Sequence, residues 1–254
     1  MSALGGLRIA VPRGALFGET VDLLTELGLD TAELRENDRK LLFEEIGVIT
    51  MRPSDVPTYV EAGAADLGIT GKDVLAELAL APGADGAPGG GPRPARDVYE
   101  LLDLGYGRCT MVLASRTGDP DPATEALRHL GVMRVATKYP RIAARHLEET
   151  GRQAEIVEVK GSVELAPLTG LVEAIVDLTA TGTTLRENDL VVRERFLECT
   201  ARLIANPVAH KLKAAAIDEL LGRLRERSAT GAREEPMGAG APAVGDEQES
   251  QRAG

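Results

Sequence analysis

The sequence predicts an α/β protein, because short apolar strands alternate with helices along its first third. Apolar runs at residues 7–11 and 46–51 each precede a loop and a segment with helical spacing, and residues 65–73 repeat this order. Such alternation favours a mostly parallel sheet flanked by helices. Apolar residues make up 43% of the chain and aromatic residues only 3%. Leu, Val, Ile and Ala therefore form the expected core.

The second half of the chain predicts a second domain. A strand at 98–104, a glycine turn and a strand at 109–114 mark the point where we expect the chain to enter it. Strands at 190–192 and 199–205 are expected to return to the first domain. Domain I is thus predicted to hold residues 1–104 and 190–227, and domain II residues 105–189.

Three further features complete the predicted organisation: the last helix, one internal loop and the C-terminal tail. Asn206 is predicted to cap the last helix, with Pro207 at its first position. Apolar residues then repeat at helical spacing and predict one buried face: Val208, Leu212, Ala216, Leu220 and Leu224. Residues 81–96, rich in Pro and Gly, predict a mobile surface loop. Residues 228–254 have almost no large apolar side chain and predict a disordered tail.

Charge and cysteine content exclude several classes of function. The net charge is −11 and the pI about 4.9, which argues against nucleic acid as a partner because phosphate backbones need a basic face. Two cysteines do not form a disulfide scaffold and fit a cytoplasmic protein with free thiols. The chain shows no apolar stretch long enough for an export signal or a membrane span.

One stretch, residues 173–188, carries the strongest functional signal. An apolar strand has a carboxylate at each end, Glu173 and Asp177. It leads into a loop of hydroxyls and small residues, then a helix start; the loop residues are Thr179, Ala180, Thr181, Gly182, Thr183 and Thr184. Loop amides, threonine hydroxyls and a helix N-terminus can hold a phosphate, and the acids can accept hydrogen bonds from sugar hydroxyls. A threonine-capped helix after a buried strand is the structural alternative.

Cations follow several predicted strands. Arg13 and Arg52 lie just beyond strand ends, where open α/β sheets bind ligands. An ordinary surface arginine is the alternative interpretation at each position. Lys72 and Lys138 also follow strands and are candidates for nucleotide phosphates, although solvated surface lysines are the more common case. The three histidines are scattered, and none is assigned a catalytic role.

Several segments, taken together, resemble the ATP phosphoribosyltransferase family. The resemblance covers roughly residues 7–225. The segments that carry it occur in the family's order: 7–16, 52–57, 64–72, 103–109, 135–140, 161–167 and 173–188. One segment alone would be weak, whereas so many in order are highly specific.

The resemblance implies two α/β domains with a cleft between them, similar to periplasmic binding proteins of type II. It implies that ATP condenses with 5-phosphoribosyl 1-pyrophosphate, with Mg²⁺ carried by the pyrophosphate. The product, N1-(5-phosphoribosyl)-ATP, is the first intermediate of histidine biosynthesis. By resemblance, residues 179–184 hold the 5′-phosphate, and Glu173 and Asp177 hold the ribose hydroxyls. Arg52, with Arg13 and Arg39, binds the leaving pyrophosphate.

The chain departs from the family pattern at two positions and lacks one part. Ala15 stands where a cation is usual, and Asp189 where glycine is usual. With only a low-complexity tail after the catalytic part, the chain resembles the short form of the family. That form works in a hetero-oligomer with a regulatory subunit similar to histidyl-tRNA synthetase. A solute-binding protein of similar fold and an inactive structural subunit remain the rival hypotheses.

Overall fold

The computed structural model describes residues 4–81, 97–118 and 120–231, with side chains through residue 227. It contains two mixed β-sheets, each flanked by helices, so the predicted α/β fold class is confirmed. The strands of the first sheet are β1 (Ile9–Pro12), β2 (Leu42–Phe43), β3 (Val48–Met51), β4 (Leu67–Gly71), β5 (Tyr99–Asp103) and β11 (Ala201–Ala205). Those of the second sheet are β6 (Cys109–Arg116), β7 (Met133–Thr137), β8 (Ala154–Glu158), β9 (Ala174–Thr179) and β10 (Leu190–Cys199).

Helices cover both faces of each sheet. In chain order they are α1 (Phe17–Glu26), α2 (Ala32–Glu36), α3 (Val56–Glu61), α4 (Lys72–Ala79), α5 (Pro122–Leu130), α6 (Pro140–Glu149), α7 (Leu165–Leu168), α8 (Thr183–Glu187), α9 (Pro207–Leu212) and α10 (Ala214–Gly231). A 3₁₀ turn at Glu44–Ile46 precedes β3. No helix in the described ranges is long and apolar enough to cross a membrane.

The six-stranded sheet and its helices form what we call the first lobe. Its strand order is β2-β3-β1-β4-β11-β5, with parallel pairing at the centre and antiparallel pairing at both sides. α1 and α10 pack their leucines on one face, and α3 packs Val56 and Val60 on the other. Burying apolar side chains on both faces is what holds such a layered sheet together.

The five-stranded sheet and its helices form the second lobe. Its order is β10-β6-β9-β7-β8, in which β9, β7 and β8 run parallel and the other pairings are antiparallel. Helices α5 and α6 pack on one face of this sheet, and α7 and α8 on the other. β9, which carries Asp177, lies at its centre, so the strand before the predicted phosphate loop is fixed on both sides.

The chain returns to the first lobe later than expected. Residues 190–192 were predicted to lie in domain I, but they begin β10, which pairs along its length with β6 of the second lobe. The return comes at Thr200, between β10 and β11. The predicted boundary was wrong because residues 190–199 form one strand in the second sheet, with the charged run Arg193-Glu194-Arg195 inside it. β10 is an edge strand, and an edge strand tolerates exposed charges.

The predicted C-terminal helix is two helices. Asn206 does cap α9, since its Oδ1 accepts hydrogen bonds from the Val208 and Ala209 amides at 2.9 Å. The chain then breaks at Lys213. The break changes the helix phase, so Val208 and Leu212 are exposed while Leu220 and Leu224 are buried. The prediction of a single buried face was therefore wrong.

The two low-complexity segments lie largely outside the described residues. The predicted loop 81–96 is described only at Ala81, and the predicted tail 228–254 only as far as Gly231. α10 continues to Gly231, so its helical backbone extends into the first residues that we assigned to the tail.

Candidate active site

The carboxyl ends of the parallel strands form the edges on which the site is built. In the first lobe, Arg13 follows β1, Arg52 follows β3 and Lys72 follows β4. In the second lobe, Lys138 follows β7 and the Thr179–Thr184 loop follows β9, its parallel neighbour. Ligands of open α/β sheets bind at such edges.

The two edges meet through α4 and α6. The Tyr139 hydroxyl donates a hydrogen bond to Asp73 Oδ2 at 2.9 Å. Glu77 of α4 accepts from the Arg141 and Ile142 amides at 3.0 and 2.9 Å and so caps α6 of the other lobe. A carboxylate at a helix N-terminus is favourable in charge as well as in hydrogen bonding. These contacts bring the β4 end and the β7 end together and leave the site between the lobes.

Asp73 folds back over the residue that precedes α4. A Cβ at Gly71 would meet Asp73 Oδ1 at 2.0 Å, so only glycine allows this carboxylate to sit there. Asp73 is buried, and its charge also raises the pKa of Tyr139 after the larger effect of burial. Tyr139 therefore stays protonated and keeps donating to Asp73.

The predicted phosphate loop is preformed. Thr179 ends β9, and its hydroxyl accepts a hydrogen bond from the Gly182 amide at 2.9 Å. Gly182 is the N-cap residue of α8 and has a φ of 73°, a left-handed conformation that favours glycine. The Thr181 and Thr183 hydroxyls lie 3.0 Å apart. The rest of the loop is open to solvent. Its exposed residues are Ala180, Thr181, Thr183 and Thr184. Hydroxyls and amides in this arrangement can donate to an anion.

Asp177 lies two residues before the loop, on the same face of β9 as Thr179. Burial raises the pKa of Asp177 above its ordinary value, and negative Glu164 and Asp73 add to the rise. A hydrogen bond from the Leu178 amide, at 2.8 Å, and the charge of Lys138 act in the opposite direction. The carboxylate is thus close to charges from both lobes and next to the loop.

The structure does not bring Glu173 to the loop. Glu173 stands at the start of β9, about 13 Å from Asp177 and farther from Thr179 at about 3.3 Å per strand residue. Its oxygens accept from the amide and guanidinium of Arg134, at 2.7 Å and 2.5 Å for the shortest contacts. Burial opposes ionisation, but these bonds outweigh it and lower the pKa of Glu173. Glu173 is a structural partner of Arg134, and the expected acid pair does not exist as a unit.

The three arginines of the first lobe have different surroundings. Arg13 donates to Asp38 at 3.1 Å and to the carbonyls of Asn37 and Lys40, and its guanidinium stacks on Phe17. It thereby holds the segment that carries the exposed Arg39. Arg52 is exposed and has no ion-pair partner among the described residues.

Arg52 is nevertheless fixed next to Arg13. β1 and β3 are parallel with Pro12 opposite Met51, and the Arg13 amide donates to the Met51 carbonyl at 2.7 Å. The structure therefore places Arg13 and Arg52 side by side at one edge, with Arg52 free to bind an anion and Arg13 already engaged. The planar guanidinium suits phosphate oxygens, which it binds in pairs.

Two cations lie at the loop side of the site, and one of them was missed in the sequence. Arg186 of α8 donates to the Thr181 carbonyl and the Thr183 hydroxyl, both at 3.0 Å. Its place one helical turn beyond Thr183 is the signal that could have identified it. Lys138 is exposed and acts on Asp177, whereas Lys72 is paired with Glu100 at 2.8 Å. Lys138 thus suits a ligand better than Lys72 does.

The two departures from the family pattern have distinct outcomes. Ala15 is exposed in the turn before α1. Asp189 has a φ of 53°, the only positive value for a non-glycine residue in the described part of the chain. Its carbonyl accepts from the Thr117 amide at 2.9 Å. The glycine-like conformation is therefore kept, since Asp tolerates this region better than most residues do.

Comparison with known proteins gives the family. A family model described as HisG, ATP phosphoribosyltransferase, matches residues 52–226. An ATP phosphoribosyltransferase of Rubrobacter xylanophilus is 52% identical over 85% of this chain and 94% of its own length. The chain belongs to the ATP phosphoribosyltransferase family. The family assignment made from the sequence, and the transferase class with it, are confirmed.

Further members of the family agree along nearly the whole described chain. An ATP phosphoribosyltransferase of Bacillus licheniformis is 43% identical over 86% of this chain and 93% of its own length. A solved structure described as the ATP phosphoribosyl transferase (HisG:HisZ) complex from Thermotoga maritima has a TM-score of 0.66 and 31% identity. It covers 87% of this chain and 97% of that chain.

More distant structures share the fold alone. An ancestral amino acid-binding protein, AncCDT-1, has a TM-score of 0.52 with 12% identity and covers 87% of this chain and 89% of that chain. A periplasmic binding protein of an arginine transport system from Legionella pneumophila has a TM-score of 0.51 with 11% identity, covering 89% of this chain and 95% of that chain. The predicted likeness to periplasmic binding proteins is confirmed as a likeness of fold.

Proposed function

We propose that this chain is the catalytic subunit of an ATP phosphoribosyltransferase. It condenses ATP with 5-phosphoribosyl 1-pyrophosphate and releases pyrophosphate, the first step of histidine biosynthesis. The observation that carries the proposal is the open Thr179–Thr184 loop with half-buried Asp177 just before it, on a chain of this family. Phosphate and ribose are adjacent in the substrate, as the loop and the carboxylate are here.

The loop is the proposed site of the 5′-phosphate. Exposed Thr181, Thr183 and Thr184 supply hydroxyl donors, and the amide of exposed Ala180 adds a backbone donor. Arg186 adds a positive charge, since it already donates to the loop. Charge-assisted hydrogen bonds to phosphate are about twice as strong as neutral ones, so this cation contributes strongly to binding.

Asp177 is the proposed partner of the ribose ring. Adenine N1 of ATP attacks C1 of the ribose while pyrophosphate leaves, and positive charge develops on the ring in the transition state. A fixed carboxylate near that charge stabilises it, and a carboxylate also accepts hydrogen bonds from ribose hydroxyls. No enzyme nucleophile is needed, so catalysis consists of positioning and charge stabilisation.

Arg52 is the proposed ligand of the leaving pyrophosphate. It is exposed, unpaired within the described ranges and fixed at the first-lobe edge by the neighbouring strand. Arg39 is proposed as a second ligand, carried by the segment that Arg13 holds in place. Arg13 then acts mainly by positioning that segment.

Mg²⁺ is proposed to enter with the pyrophosphate of the substrate. The ion neutralises phosphate charge and favours departure of pyrophosphate. The described side chains contain no group of three or more His, Cys, Asp or Glu residues arranged around a common point. Asp177 and the loop hydroxyls offer hard oxygen atoms on the second-lobe side of the site.

A second subunit is also proposed. The related Thermotoga maritima structure is a HisG:HisZ complex. By this likeness, we propose that the chain works as a dimer within a hetero-oligomer, with a regulatory subunit similar to histidyl-tRNA synthetase. We also propose that the enzyme acts in the cytoplasm, which its two free thiols fit.

One assay tests the function. The purified chain is mixed with ATP, 5-phosphoribosyl 1-pyrophosphate and Mg²⁺, with and without the regulatory subunit, and pyrophosphate release is followed. Release that requires both substrates and stops on chelation of Mg²⁺ is the expected result. No release under either condition contradicts the proposal. Binding of an amino acid to the chain, with no release, would favour a solute-binding role instead.

A further inference from the structure

The two cysteines of the chain lie opposite each other in the second lobe. Cys109 of β6 and Cys199 of β10 are direct partners in the antiparallel pairing of these strands, and both are free thiols. Directly opposed residues have Cα atoms about 4.5–5.5 Å apart and side chains on the same face. Disulfides span Cα separations of about 4.4–6.8 Å. The strand register therefore already satisfies the main geometric requirement for a bond between them.

The pair stands where the chain passes between the lobes. Cys109 is the first residue of β6 and Cys199 the last of β10. Only Thr200 separates Cys199 from β11 of the first lobe, and its carbonyl accepts from the Lys72 amide at 3.0 Å. Any movement of one lobe against the other must change the backbone at these two connections.

The two thiols differ in reactivity. Cys109 is half-buried and Cys199 is buried. The hydrogen bond from Cys199 lowers the pKa of the Cys109 thiol. This effect is larger than the opposing effects of burial and of the negative charge on Asp73. The same bond, burial and nearby negative charge raise the pKa of Cys199, whose thiol also lies 3.9 Å from the Leu197 carbonyl. A thiolate is the reactive form, so Cys109 is the more nucleophilic and more accessible of the two.

We propose that Cys109 and Cys199 form a reversible intramolecular disulfide when the protein meets hydrogen peroxide. The Cys109 thiolate attacks one peroxide oxygen, the O–O bond breaks, and hydroxide leaves and is protonated to water. Cys109 is then a sulfenic acid. The Cys199 sulfur attacks the Cys109 sulfur, the S–O bond breaks, and hydroxide leaves with the thiol proton as water. Two thiols are oxidised, and one peroxide is reduced to two waters.

The bond acts on the site through its neighbours, a consequence that rests on the proposed function. Thr110 follows Cys109 and pairs across the sheet with Thr179, the first residue of the phosphate loop. The bond also ties the two inter-lobe connections together near Asp73, which bonds Tyr139 of the other lobe. We expect a several-fold lower kcat in the oxidised protein and full recovery on reduction. Disulfides of proteins in reducing compartments are commonly transient and regulatory, as this one would be.

Mass spectrometry tests the bond without any assay of activity. The reduced full-length chain is treated with hydrogen peroxide, alkylated and digested with trypsin. Cleavage after arginine leaves Cys109 in peptide 109–116 and Cys199 in peptide 196–202. We expect these peptides joined, with the intact monomer lighter by two hydrogen atoms, and separated again by dithiothreitol. In Cys199→Ser, a sulfenic acid at Cys109 should accumulate and react with dimedone. In Cys109→Ser, peroxide should leave Cys199 alkylatable.

The outcomes separate the proposals. Two alkylatable thiols after peroxide treatment, or a cross-link only between two copies of the chain, would overturn the disulfide. A joined peptide pair with unchanged kcat would keep the bond but overturn its effect on the lobes. A chain that forms the bond but shows no transferase activity, reduced or oxidised, would contradict the proposed function and leave the modification site standing.

Discussion

The Tyr139 hydroxyl lies 2.9 Å from Asp73 Oδ2 and joins the end of β7 to the end of β4. Each residue belongs to a different lobe, so this is a hydrogen bond across the site. Burial, followed by the charge of Asp73, raises the pKa of Tyr139, and the hydroxyl therefore remains a donor through neutral pH. The bond holds the lobes at the spacing seen here.

Tyr139→Phe is expected to loosen the two lobes. The change leaves buried Asp73 without its donor, which costs about 1–2 kcal/mol of stability. Urea unfolding measures that cost, and small-angle X-ray scattering should show a larger radius of gyration. Tyr106→Phe is the matched control, because Tyr106 bonds Thr20 at 2.8 Å within the first lobe. The control should lose stability without expanding; an equal expansion in both variants would contradict an inter-lobe role.

Asp177→Asn is expected to lower kcat by roughly 10- to 100-fold, since a charge-assisted contact of about 1.5–3 kcal/mol is lost. Glu173→Gln is the matched control, because it also replaces a carboxylate by an amide, at the residue just before β9. Because Glu173 binds Arg134 and lies far from the loop, that change should reduce stability and leave kcat unaltered. Steady-state kinetics decide between them. A comparable loss of kcat in Glu173→Gln would restore the paired-acid hypothesis.

The fall of kcat at low pH is expected to follow protonation of Asp177. Burial raises its pKa in the folded chain, so the carboxylate is neutralised at higher pH than an ordinary aspartate, and kcat falls correspondingly early on acidification. A raised folded pKa means that this group stabilises the fold fully below its unfolded pKa and that the contribution is lost as pH rises through the folded pKa. Asp177→Asn should therefore unfold at higher temperature than wild type at neutral pH, with the gap closing in acid. A constant gap would contradict the shift.

Gly182→Ala is expected to disturb the phosphate loop. A left-handed alanine costs about 1–2 kcal/mol, and its Cβ would lie 3.2 Å from the Arg186 guanidinium. The KM for 5-phosphoribosyl 1-pyrophosphate should rise about 5- to 30-fold. Gly131→Ala has the same backbone strain at a φ of 72°, with open space around it and far from the loop in sequence. It should lose stability and keep its KM; a similar KM change there would point to a global effect.

Asp189→Gly is expected to stabilise the chain. Its φ of 53° is easier for glycine than for an L-residue, and relief of part of the roughly 1–2 kcal/mol penalty should raise Tm by about 2–4 °C. Calorimetry measures the change. Asp189→Ala keeps the penalty and loses the polar side chain, so it should lower Tm. A glycine variant no more stable than the alanine variant would show that the Asp189 conformation is not strained.

Local pattern predicted much of the fold. Strand, loop and helix alternation gave β1, β3 and β4 with their helices, because apolar runs and their spacing report burial directly. It failed in the lobe assigned to residues 190–192 and in the break between α9 and α10. Glu194 on β10 pairs with Arg152 and His146 of the second lobe, contacts between residues that are distant in sequence. Lys213, at the break between α9 and α10, contacts Asp66, a residue distant in sequence.

The sequence predicted single segments of the site but not the contacts between residues that are distant in sequence. The hydroxyl-rich loop after β9 was readable because its residues are consecutive. Spacing along one strand, however, separates Glu173 from Asp177, and only the Arg134 contacts reveal what Glu173 does. Arg186 was missed because its role depends on the direction of a side chain, and the Asp73 contact with Tyr139 because 66 positions separate the two in sequence.

The position of β11 constrains the order in which the protein can be built on the ribosome. β11 lies between β4 and β5, yet it is made only after all of the second lobe has been synthesised. Until residue 205 emerges, β4 has an open edge and β5 has no partner in the sheet. The second lobe, continuous from β6 to β10, can close first. During synthesis the nascent first lobe therefore presents an unpaired strand edge, which another chain can pair with.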